Sequence, residues 1–218
     1  MRTVQDIYTA FHIMPMLQLH QLRVGSVGQY VASRVTRLIH YNDVMLACLF
    51  HDMGNIIKFD LSVFEEASEG EGREYWEKMK AEAIGKYGTF SHDANVAIAR
   101  EIGLAEHVAD LIDGVSFSKM EKIVASNDLE QKICQYADTR VGPFGVLPLE
   151  QRLREARARY LAGKTDREYY TEEGFERLLH AARELESQVC AASGIKPADI
   201  NDASIASQME SIAKFQVP

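Results

Sequence analysis

The chain has 218 residues, 46% of them hydrophobic and 26% charged, with a formal net charge of −8, an ordinary globular composition long enough to enclose one sizeable core. The acidic balance argues against a nonspecific grip on nucleic acid or anionic lipid, whereas a few local cations would suffice for a small phosphate ester. No run approaches the roughly 18 apolar residues of a membrane span, and Arg2, Gln5 and Asp6 stand where a signal peptide would become apolar, so no membrane partner and a cytoplasmic location are the expected defaults.

Apolar residues recur at three- and four-residue intervals, and period-two alternation is hard to find, so the fold reads as all-α. Helices are expected over about 3–11, 16–38, 43–57, 72–87, 91–102, 104–113, 117–126, 128–139, 148–162, 172–192 and 201–213. In the second, helical spacing puts His20 on the face of Leu17, Val24 and Val27, so it points inward. The third carries the densest apolar run, Val44 to Phe50, and ends on His51 and Asp52. An ionised carboxylate delivered to an apolar interior costs several kcal/mol unless it is paired or bound to a metal. Gly54 is expected to stop or bend that helix, so that the two side chains converge on one point. The acidic stretch Glu65 to Glu74 reads as a solvated loop or a substrate lid.

Ser91 is the expected cap of the helix that begins near His92. Asp138 closes the apolar pattern Leu129, Ile133, Cys134, Ala137, either as a buried ligand or as a cap or ion-pair partner of Arg140. Near residue 149 the composition shifts to charged amphipathic helices, Glu150 to Arg159 and Arg167 to Glu186. Residues 1–146 therefore read as a catalytic core and 147–218 as a helical extension packed on it. Tyr169, Tyr170 and Trp76 are explained by packing more cheaply than by base stacking. Cys48, Cys134 and Cys190 are odd in number, widely spaced and set in apolar patterns, as small buried hydrophobes are.

A lone inward histidine is more often a core residue than a ligand; the combination is what matters. Two imidazoles and two carboxylates from three separated helices make a mixed nitrogen and oxygen site for a divalent metal, with positions left for water and substrate. The motifs His20-x-x-Arg23-Val24, Leu49-Phe50-His51-Asp52-Met53-Gly54 and Tyr136-Ala137-Asp138-Thr139-Arg140-Val141 resemble, in order, the H…HD…D signature of the HD superfamily of metal-dependent phosphohydrolases. The resemblance covers roughly residues 16 to 146 and implies an all-helical HD-domain core that binds a divalent cation (Mn, Fe, Co, Ni, Mg or Zn) through His20, His51, Asp52 and Asp138. It implies hydrolysis of a small phosphate ester, a nucleotide or nucleotide-like compound. Asp52 would bridge two metals or accept a proton from the attacking water, according to metal number.

Arg23 lies one turn beyond His20 on about the same face and is the favoured phosphate contact. Lys58 is a second cation for catalysis and substrate binding, or an ordinary solvated lysine. Arg140 either touches substrate or holds a carboxylate in place. His92 is either a second-metal ligand or substrate contact, or an exposed helix-start residue; the histidine that dinuclear relatives add after it is missing, with Asp110 and Asp113 where one would look. Asn55 replaces the acidic residue of relatives that act on nucleoside monophosphates or ppGpp, and the Gly-Tyr-Pro element of cyclic-di-GMP hydrolases is absent. Two other readings stand beside hydrolysis: a non-catalytic nucleotide-binding regulatory module, and a di-iron oxygenase of the same superfamily. Homo-oligomer formation is left open.

Overall fold

A computed structural model describes residues 1–62, 71–162 and 171–218. Most of the acidic stretch Glu65 to Glu74, and the pair Tyr169-Tyr170, lie outside the described residues. The fold is all-α. Its helices are α1 (Val4–Ala10), α2 (Pro15–Ala32), α3 (Tyr41–Phe50), α4 (Arg73–Tyr87), α5 (Ser91–Ile102), α6 (Glu106–Gly114), α7 (Met120–Ala125), α8 (Leu129–Arg140), α9 (Leu149–Ala162), α10 (Glu172–Ser193) and α11 (Asp202–Ala213). The only sheet among the described residues pairs β1 (Arg2–Thr3) antiparallel with β2 (Gln216–Val217), joining the two ends of the chain. No described helix is long and apolar enough to cross a membrane.

The centre of the molecule is α3, whose residues Val44 to Phe50 are all buried, with α2, α6 and α8 packed against it. A helix that is apolar on every side must be covered on every side. The crossing of α2 over α3 is unusually close because Gly25 and Gly28 face it: a Cβ on Gly25 would stand 2.5 Å from Leu49 Cδ2, and one on Gly28 2.6 Å from Cys48 Sγ. Cys48 and Cys134 are buried free thiols and Cys190 is half-buried and free. C-terminal to the expected boundary at residue 147, α10 packs on α7 and α8, and α11 on α2.

Two helices stop earlier than periodicity predicts. The second ends at Ala32 rather than near residue 38, where Arg34 and Val35 donate to Val31 and Ala32 three residues back and tighten the last turn. Beyond it, the backbone N–H of His40 donates to Glu130 Oε1 at 2.6 Å, so the start of α3 is set by a side chain from α8. The third stops at Phe50 rather than 57. Asn55 N–H then donates to Asp52 O and Ile57 N–H to Gly54 O, giving a short 3-10 turn over Asn55–Lys58.

Candidate metal centre

The tightened turn after α3 presents His51 and Asp52 differently from a continuing helix. Gly54 is expected to stop or bend the helix, yet α3 has already ended at Phe50 and the glycine's φ of −92° is open to any residue. Its requirement is space: a Cβ there would meet Ala94 Cβ at 2.6 Å and Ser91 O at 3.1 Å. The absence of a side chain lets the first turn of α5 press on the His51-Asp52 turn, and Asn95 Oδ1 accepts the Gly54 N–H at 2.6 Å. On the other side Gln21, fully buried beside His20, accepts the Asp52 N–H at 3.3 Å. Neither Gln21 nor Asn95 stood out in the sequence. Both are buried amides inside otherwise apolar faces, and a buried amide has to hydrogen-bond something.

Four side chains converge in front of this turn. His20 Nε2 lies 3.7 Å from Asp52 Oδ2 and 3.4 Å from Asp138 Oδ1. His51 Nε2 lies 3.6 Å from Asp52 Oδ2 and 3.3 Å from Asp138 Oδ1. One donor atom from each of His20, His51 and Asp52 falls within 4.8 Å of the others. Ligands held about 2.0–2.2 Å from one ion stand roughly 3–3.5 Å apart, so the spacing suits a shared cation with little movement.

His51 carries the clearest mark of a ligand. Its Nδ1 is 2.9 Å from the carbonyl of Cys48, an acceptor only, so Nδ1 holds a proton and a neutral ring turns the Nε2 lone pair toward the carboxylates. That Nε2 is buried and closes no hydrogen bond with either carboxylate. It meets them only as ion-pair contacts at 3.3 and 3.6 Å, and coordination of a cation would satisfy it more fully. Without a metal, burial works against the imidazolium, but the charges of Asp52 and Asp138 and the Cys48 carbonyl outweigh it and raise the pKa to about 10. Asp138 shows the reciprocal effect: burial pushes its carboxyl up, while His20 and His51 beside it hold it well below the ordinary range. The side chains of His20, Asp52 and Asp138 keep 14%, 21% and 27% of their surface exposed, so the cluster opens to solvent on the side away from His51.

The surrounding residues are placed unevenly. His92, at the start of α5, sits 3.1 Å by Nε2 from Asp113 Oδ1 and is paired with that carboxylate. Lys58 is exposed at the end of its 3-10 turn. Arg23 donates to the Pro143 carbonyl at 3.3 Å and lies 3.7 Å from Asp202 of α11. Arg140 corrects an expectation: it is buried, and its five N–H donors go to the carbonyls of Leu147, Pro197 and Ile200, to the Tyr136 hydroxyl and to Glu186. No donor is left for a substrate, so of its two expected roles it takes the structural one, facing Glu186. None of the four converging residues lines the cavity of about 360 Å³ between Leu17, Met53, Met79 and Tyr87, which is therefore separate from this centre.

No protein-family model, curated protein or solved structure matches the chain.

Proposed function

We propose that the protein is a metal-dependent hydrolase of small phosphate esters, with a nucleotide or nucleotide-like compound as substrate and His20, His51, Asp52 and Asp138 as metal ligands. The observation that carries this reading is the buried Nε2 of His51, which faces two carboxylates at ion-pair distance and closes no hydrogen bond with either. A divalent cation in that position would supply Lewis-acid activation of the phosphoryl group and of the attacking water. The protein's own part is to hold the ligands in place: the Cys48 carbonyl sets the tautomer of His51, and Gln21 and Asn95 fix the turn that carries His51 and Asp52. Asp52, partly exposed at the edge of the cluster, is placed to take the proton from the attacking water. Lys58 is exposed and is the remaining expected cation for the phosphate.

The test is turnover. Protein stripped of metal and reloaded with Mn, Co, Ni, Mg, Fe or Zn is screened against phosphomonoesters and phosphodiesters. Activity that depends on metal and drops by roughly 10³-fold or more in Asp52→Ala is expected. Absence of metal-dependent turnover on every ester overturns the reading. A second reading, nucleotide binding without hydrolysis, draws support from the commitment of Arg23 and Arg140 to the scaffold, which removes two cations that would neutralise a transferring phosphoryl group. Tight nucleotide binding at saturating metal with no product would favour it.

A further inference from the structure

A second group of ligating side chains lies where α3, α6 and α8 begin. His40 immediately precedes α3, His107 is in the first turn of α6 and Glu130 in the first turn of α8. The Glu130 carboxylate stands between the two rings, with Oε1 3.0 Å from His40 Nδ1 and Oε2 2.6 Å from His107 Nε2. The imidazoles meet edge to face with centroids 5.1 Å apart. One donor atom from each of the three residues lies within 4.8 Å of the others. Glu130 is 12% exposed, against 74% for His40 and 42% for His107, so the carboxylate forms a fixed floor and the rings an open rim. Its position is set from a further direction by the His40 backbone N–H.

We propose that His40, His107 and Glu130 form a second divalent-metal site, separate from the His20/His51/Asp52/Asp138 centre, which takes zinc. Two imidazoles and one carboxylate favour a borderline transition ion over Mg²⁺ or Ca²⁺, which prefer all-oxygen shells. Three protein ligands leave a fourth tetrahedral position for water, and the exposed rim gives an ion access. Entry of the ion displaces the protons now shared between the rings and Glu130. The ligands move from hydrogen-bond contact to roughly 3.3 Å apart, an adjustment that the exposed His40 ring makes without disturbing the core. Three helix N-termini converge at this point, and their positive ends oppose a cation. Asp43 in the first turn of α3 and Asp128 at the cap of α8 act on His107 from the same region and add the negative charge that offsets them.

The placement assigns the site a task. Helix α3 starts at His40 and runs directly into His51 and Asp52, and α8 has Glu130 in its first turn and Asp138 in its last. At 1.5 Å per residue the two centres are separated by about 12–16 Å along the same two helices. Zinc at the N-terminal ends would clasp α3 and α8 together, fixing the relative position of the helices that carry three of the four ligands at the other end.

Metal-free protein is titrated with zinc against a competing chromophoric chelator, alongside His40→Ala/His107→Ala, whose helicity is checked by circular dichroism. The wild type is expected to take up one equivalent more than the variant, the affinity for that equivalent falling by roughly 100-fold or more. Superimposable isotherms would overturn the proposal. A measurement on the unaltered chain does not depend on the variant's folding: saturating zinc should shield His40 and His107 from carbethoxylation, read residue by residue by mass spectrometry. Equal modification of both rings with and without zinc would also overturn it.

Discussion

The proton on His51 decides how the proposed metal centre would respond to an ion. The carboxylates of Asp52 and Asp138 hold that proton on the ring up to about pH 10 when no metal is present. A cation needs the same Nε2 lone pair, so near neutral pH its binding must expel the proton. Calorimetric titration in buffers of different ionisation enthalpy is expected to show about one proton released per metal bound near pH 7. In Asp52→Ala both the affinity and the proton release should fall, because the strongest of the charges that hold the proton is gone. The residues of this centre were legible in the sequence because imidazole and carboxylate at the end of an apolar run have no cheap resting state without a partner. Gln21, Asn95 and the Cys48 carbonyl were not, since a backbone carbonyl or a buried amide becomes informative only once its partner is known.

Among the elements, α2 and α3 depend on one close crossing. Gly25 faces Leu49, which is fully buried and cannot swing aside. Gly25→Val is therefore expected to cost roughly 3 kcal/mol through overpacking, read as a lower urea midpoint with an unchanged m-value. By separating His20 from His51 it should also weaken metal binding. Arg140 joins α8 to the C-terminal segment through four of its five hydrogen bonds. Arg140→Ala removes the cation facing Glu186 and strands the carbonyls of Leu147 and Ile200, and should destabilise the fold by about 3–5 kcal/mol, while metal affinity in the protein that remains folded changes little; a large loss of affinity at unchanged stability would instead return Arg140 to the site. Periodicity located these helices well, with α5 and α11 close to their expected spans. It overran the ends of α2 and α3, because its signal continues through Val35 and through Ile56-Ile57 while the chain's path there is set by Glu130 and by the packing of α5 on Gly54.

For the molecule as a whole, pH and the proposed metal would act in opposite directions. His51 has a folded pKa of about 10 against an ordinary 6.5, so in metal-free protein its contribution to stability is complete below about 6.5 and is lost as pH rises through about 10. Asp138, held below its ordinary 3.8, contributes above that value and loses its contribution in acid. This pair therefore favours the metal-free fold most between about 3.8 and 6.5. Bound metal requires the deprotonated ring and stabilises by mass action. The gap in melting temperature between metal-loaded and metal-free protein should widen as pH rises from about 6 to 9. A gap independent of pH would mean that the metal is not bound through His51.

The sequence alone determined that the chain is helical, roughly where the helices lie, and that His20, His51, Asp52 and Asp138 are inward-facing polar groups in need of partners. Those properties are local, since periodicity acts within a few turns and the cost of burying a charge can be read from its neighbours. Only the tertiary structure decided which cations are free. Arg23 finds its carbonyl 120 residues away and Arg140 two of its own at 57 and 60, and no local pattern encodes such a pairing. The same holds for His40, His107 and Glu130, which become one cluster only because three helix N-termini are packed together.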